Sequence, residues 1–282
     1  MARKSIFELL VEGDSLSKNT ERLVRYFEEE TVVCRAMQDY TLKDYVDTYS
    51  FEGWESRGNC IDVDDFLESM GYSLIVERAE FDPEAFLILV ELVFNFWKIV
   101  ANELQAKNAM VKHYRVFYNA EEFLINCLSK YNHTALYYED EQQVLVVEDK
   151  REVTAVAEVV EPQLAKAVIR YNHRSLQGDI EAKKSILLSM GAELEPLRGN
   201  MNTKDKDNED LIFFMLNNMN LRHNNVTEGD SKYKEGVALM PEEELEGWYD
   251  ELYQMMLLAF LQLDNKERIE RVKELKKQIC SK

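Results

Sequence analysis

The stretch that most constrains this chain runs from Asp82 to about Leu104. Asp82-Pro83-Glu84 opens a helix strongly: an acid at the N-cap, proline in the first turn, then a second acid near the positive helix end. Beyond it, Ala85–Ala101 is apolar on nearly all sides, interrupted by Glu91, Asn95 and Lys98. A helix apolar all round must be buried, so it is expected to be the central helix of an N-terminal domain. It falls short of the roughly 20 apolar residues that a membrane span needs, so no membrane association is expected.

Length allows more than one such core. At roughly 100–200 residues per domain, 282 residues suit two domains. The polar segment Glu148–Glu152 is the natural boundary, giving 1–150 and 151–282. Ten glycines and four prolines are few, and abundant Leu, Glu, Lys and Met favour helix over sheet. The formal net charge is −19, of which −14 falls on residues 1–150 and −5 on 151–282. Such a chain does not bind phosphate backbones through bulk charge. A nucleic-acid contact would need a local basic pocket, for which the C-terminal half is more permissive, while the acidic N-terminal half suits a protein partner. Cys34, Cys60, Cys127 and Cys280 form no C-x-x-C pair and read as reduced thiols of a cytoplasmic protein. The opening MARKSIFELLVEGD lacks an apolar stretch long enough for a signal peptide.

Taken in order, residues 2–12 form a short amphipathic helix (Ile6, Phe7, Leu10), and Ser17–Met37 a longer one. Tyr40–Tyr49 is read as helical, with Thr41 and Asp44 suited to capping, and Val63–Met70 as a helix capped by Asp62. A further helix starts at Asn119 and ends near Lys130. The period then changes: Thr134–Tyr138 and Gln143–Val147 flank acidic turn residues and read as a β-hairpin. The C-terminal half reads as four helices: about Val156–Tyr171, Leu176–Leu197, Glu209–Asn224, and one from Pro241 to about Leu263. The stripe Trp248, Leu252, Met255, Ala259, Leu263 is expected to face that core. Asn200–Asn208 and Thr227–Glu235 are polar loops, and Lys266–Lys277 is a charged, solvated tail. The fold class is therefore mainly α: an N-terminal helical domain with one β-hairpin, followed by an antiparallel four-helix bundle.

No phosphate-loop, dinucleotide, zinc-protease or nucleophile-elbow motif is present. Four histidines without paired spacing argue against a zinc site. No cofactor is implied. The most unusual window is Leu211–Val226, LIFFMLNNMNLRHNNV. On a continuous helix, Arg222 would follow Met219 by three and Met215 by seven, and His223 would follow Met219 by four and Leu216 by seven. Both cations would then leave the inward side at the helix end. An inward arginine needs an acid partner or an anionic ligand. The dense asparagines, Asn218, Asn224 and Asn225 among them, are poor helix formers and bond either to loops or to something bound. Capping of the helix C-terminus is the competing reading. Arg170 and His173, at the end of the first C-terminal helix, either complement its dipole or add to the same pocket.

The pieces IEAKKSILLSMGAELEPL, a polar loop, FFMLNNMNLRHNN and a closing helical segment resemble the HEPN-like C-terminal domain of bacterial abortive-infection proteins. The resemblance covers roughly residues 155–263. It implies a helical bundle that dimerises and acts in phage defence, many members being metal-independent ribonucleases. It also implies Arg222 and His223 as the catalytic pair, with RNA or a nucleotide as ligand. Asn218, Asn224, Asn225, Arg170 and His173 would add binding contacts. The family's usual motif separates the arginine from the histidine by four to six positions, whereas here the two are adjacent. The pair would then act across a homodimer interface. The alternative is a non-catalytic all-α interaction or regulatory module in which the pair is a structural cap.

Overall fold

A computed structural model describes residues 15–106, 111–113, 115–199 and 206–280. The expected helix at 2–12 and most of the loop at 200–208 lie outside the described residues. The chain divides into two compact units, Met1–Glu148 and Asp149–Lys282. Both are mainly helical.

The first unit is built on one helix, α5 (Pro83–Ala106), whose Phe86, Leu89, Val90, Val93, Phe96 and Val100 are completely buried. Around it stand α1 (Leu16–Glu28), α2 (Leu42–Tyr49), α3 (Val63–Ser69), α4 (Tyr72–Ala79) and α6 (Arg115–Ser129). Caps start three of these helices: Ser15, Thr41 and Asp62 each accept a backbone N–H three residues on. The continuous helix expected over Ser17–Met37 is not formed. It stops at Glu28, and the chain turns into β1 (Val33–Arg35) and β2 (Gln38–Tyr40), with β3 (Val111–His113) on the other side of β1. The β1–β2 turn places Ala36 and Met37 at φ 52° and 65°. These values give the left-handed turn that suits a tight hairpin, but neither residue signals it as Asn-Gly would. The helix α4 was not expected either, and α6 starts four residues before Asn119.

The second hairpin forms as read, from β4 (His133–Tyr138) and β5 (Gln143–Glu148), with Thr134 opposite Val147 and Leu136 opposite Leu145. Two polar residues of α5 hold its outer edge. Asn95 donates to the Val144 carbonyl and accepts the Val144 N–H, both at 2.8 Å, and Glu91 accepts the Val146 N–H at 2.6 Å. The interruptions of the apolar run thus satisfy strand groups that burial would otherwise leave unpaired.

The second unit contains α7 (Arg151–Ala157), α8 (Pro162–Arg170), α9 (Ile180–Leu194), α10 (Lys206–Asn218), the single turn α11 (Glu235–Ala238) and the 39-residue α12 (Glu242–Cys280). Its first expected helix is two helices, because Pro162 lacks an N–H and starts a new helix instead of continuing the old one. The core stripe of α12 differs from expectation. Leu245, Tyr249, Leu252, Tyr253, Met256 and Phe260 are buried, whereas Trp248 is 45% exposed. Helices α7, α9 and α10 all pack on α12, so its buried sector is wider than a single i, i+4, i+7 line and centred elsewhere. Among the described residues, no helix is long and apolar enough to cross a membrane.

Candidate functional site

Helix α10 ends at Asn218, not Asn224, so the register that placed Arg222 and His223 on its inward face does not apply. The chain leaves the helix through Asn220 in a left-handed conformation, φ 57°, which asparagine tolerates better than most residues. The Arg222 N–H then closes back on the Leu216 carbonyl at 2.9 Å. The freed Met219 carbonyl accepts the Tyr249 hydroxyl at 2.9 Å. The helix end is thereby satisfied by its own loop and by α12.

Arg222 is half-buried and does point back into the unit. Its guanidinium pairs with the Glu195 carboxylate, donates to the Gly191 carbonyl at 3.2 Å and lies 5.4 Å from the Phe213 ring centre. Gly191 leaves room for Leu216, whose Cδ1 would stand 2.9 Å from a Cβ there, whereas Arg222 Nη2, at 3.5 Å, would be in ordinary contact. Because Gly191 and Glu195 lie at the C-terminal end of α9, Arg222 places its cation at the negative end of a neighbouring helix. Arg198 also stacks on Phe213, at 4.5 Å, and lies 4.0 Å from both Glu195 and the buried Glu209. Two guanidinium groups therefore face two carboxylates, and their charges balance within one chain.

His223 is exposed on the following loop. Asn224 closes a turn: its Oδ1 accepts the Val226 and Thr227 N–H groups, and its amide donates to the Thr227 hydroxyl. Asn225 is fully buried. It accepts the Asn220 N–H, donates to the Lys232 carbonyl at 2.7 Å and receives the Lys234 N–H on its own carbonyl. Asn218 donates to Phe214 O, one turn back in α10. The asparagines' bonds thus run to their own loop and helix.

Arg170 ends α8 and is exposed, while His173 is 5% exposed. The His173 ring accepts the Ser175 N–H and so caps the short turn Arg174–Leu176. Their neighbours Tyr171 and Asn172 belong to a second polar cluster that sequence reasoning missed. At its centre is Lys183, only 5% exposed, with Nζ 2.7 Å from both Glu246 and Asp250. The Tyr171 hydroxyl donates to the same Asp250 oxygen at 2.8 Å. The Tyr171 ring stacks on Tyr253 at 4.0 Å, and Tyr253 donates to the Val168 carbonyl. Lys183 and the Gly178 N–H hold the Glu246 carboxyl below the ordinary glutamate range. Burial, reinforced by Asp250, pushes the Tyr171 phenol far up, so it remains a donor. One sequence signal pointed here. Lys183 precedes Leu187 by four, Met190 by seven and Leu194 by eleven, so a lysine occupies the core stripe of α9. The arrangement clamps α9 and the end of α8 onto α12.

In the first unit, a cleft of about 200 Å³ between α5, α6 and β4 is lined by Lys98, Glu121, His133 and Tyr137. That is small beside the roughly 300–1,000 Å³ of ordinary ligand pockets. Among the described residues, no group of three or more His, Cys, Asp or Glu is placed to hold a metal ion. Comparison with models of known families, with curated proteins and with solved structures finds no match.

Proposed function

We propose that the C-terminal unit is a HEPN-like helical interaction module of a bacterial phage-defence protein, and that its Arg-His pair is structural and not catalytic. One observation carries this reading: the Arg222 charge is answered within its own chain by Glu195 and the Gly191 carbonyl. A phosphate-stabilising cation must be free to meet charge that develops in the transition state. A guanidinium already paired with a carboxylate and a helix end has little left to offer, and His223 stands apart from it on the exposed side of the loop. The surrounding asparagines spend their donors and acceptors on loop closure.

The test incubates the purified full-length chain with transfer RNA and total RNA in the absence of metal, beside Arg222→Ala and His223→Ala. No cleavage by any of the three is expected. Wild-type cleavage that either substitution abolishes would overturn the reading in favour of a composite ribonuclease site. A plaque assay in cells expressing the chain addresses the setting: protection by wild type, retained by His223→Ala, is expected, and absence of protection by wild type counts against the defence role.

A further inference from the structure

The first unit also carries a much larger opening, a groove of about 860 Å³ lined by α1, α2, α3 and α4. Its size falls in the range of ordinary binding sites, roughly 300–1,000 Å³. The apolar part of the lining is Val24 of α1, Leu67 of α3, and Leu74 and Val76 of α4. Leu67 is buried, Val24 and Val76 are partly buried, and Leu74 is 59% exposed. The same stretch of chain, residues 61–81, leaves Ile61, Met70 and Phe81 exposed as well. Large apolar side chains gathered in the open, and rimmed by polar ones, mark an interaction site.

The rim is acidic. Glu28, Asp64 and Glu68 line the groove against one cation, Lys43. Lys43 is already committed, with Nζ 2.8 Å from Asp64. Neither Glu28 nor Glu68 has an ion-pair partner among the described residues. The groove therefore holds an uncompensated negative charge, within a half of the chain whose net charge is −14.

This chemistry selects the occupant. An added strand needs open backbone N–H and C=O groups, and helical walls offer none. A polyproline ligand needs an aromatic-lined groove, whereas Tyr72 is the one aromatic side chain in this lining. Nucleic acid and anionic membranes are repelled by the carboxylates. A second copy of the chain brings the same negative charge, −19 in all. An amphipathic helix fits: it sets apolar side chains at i, i+3, i+4 and i+7 into such a groove, and lysine or arginine on its flanks answers the rim. We propose that this groove docks a basic amphipathic helix of a different protein, its apolar stripe on Val24, Leu67, Leu74 and Val76 and its cations beside Glu28 and Glu68. The inference goes beyond the reading above, which concerns the other unit, and stands without it.

The experiment is fluorescence anisotropy with the full chain at about 1–100 μM. The probe is a labelled helical peptide of about 18 residues, leucine on one face and lysine elsewhere, beside a twin with glutamate for lysine. Saturable binding of the lysine peptide is expected, with the glutamate twin at least about tenfold weaker. Leu74→Ser with Val76→Ser, which changes no charge, should weaken binding at least about tenfold with an unchanged circular dichroism spectrum. Glu28→Gln with Glu68→Gln should do the same, whereas Glu52→Gln with Glu55→Gln, which removes equal charge outside the groove, should leave binding within about twofold. Glu28→Lys with Glu68→Lys should reverse the preference toward the glutamate twin, a gain that misfolding cannot produce. Binding indifferent to the Leu74 and Val76 changes, or equally weakened by the Glu52 and Glu55 changes, reports bulk charge and overturns the proposal. So does absence of binding by wild type, whether the groove stays empty or is filled by another segment or a second copy.

Discussion

Lys183 shows how one side chain can organise three segments. Its ammonium is buried, and Glu246 and Asp250 supply the opposite charge from successive turns of α12. Removing both carboxylates leaves an uncompensated buried cation, so Glu246→Gln with Asp250→Asn should cost about 3–5 kcal/mol of stability in urea unfolding. Each single change leaves one carboxylate in place and should cost less. The pH dependence follows from Glu246, whose folded carboxyl titrates below its ordinary range. A lowered value contributes stability that is complete above the unfolded value, about 4.3, and lost as pH falls through the folded one. The gap between wild type and Glu246→Gln should therefore be full near neutrality and close in acid. Lys183 was missed although a charge on the core stripe of α9 marks it, and its partners lie more than sixty positions away, beyond the reach of any local pattern. Arg222 was legible as an inward cation in need of an acid. Glu195 supplies it, although the helix assumed to carry Arg222 had already ended.

Elements whose signals are local were the ones the sequence made plain. Proline-led starts at Pro83 and Pro241, the caps at Thr41 and Asp62, and the alternating hairpin all appear in the structure. The rest depended on tertiary context. Val32 and Val33 fit a helical stripe as well as a strand, and only pairing with β2 and β3 decides for β1. Ala36 and Met37 carry no turn signal, so the hairpin between them was invisible. The asparagines after α10 read as pocket residues because density of amides does not reveal where the amides point. Asn95 gives the element-scale prediction. Asn95→Ala leaves the Val144 N–H and carbonyl without their partner on α5, which should cost about 2–4 kcal/mol. Hydrogen exchange should localise the loss to β5, with the Val144 amide exchanging faster, while α1 and α2 keep their protection.

At the scale of the molecule, the two units have separate hydrophobic cores, one around α5 and one around the first half of α12. Residues 1–148 and 149–282 expressed separately should each unfold cooperatively on heating, as followed by circular dichroism. A fragment that stays non-cooperative would show that its core is completed from outside. The clasp on β5 also bears on how copies of this protein behave in a crowd. A strand that offers open N–H and C=O groups can recruit a strand from another molecule, and then another, into a growing filament. Asn95 occupies the N–H and carbonyl of Val144 and Glu91 the N–H of Val146, so side chains on a helix act as chain terminator for a polymer that never starts. When that amide is lost, the first visible damage should be a shortened lag before fibril growth, at temperatures where the fold itself still stands.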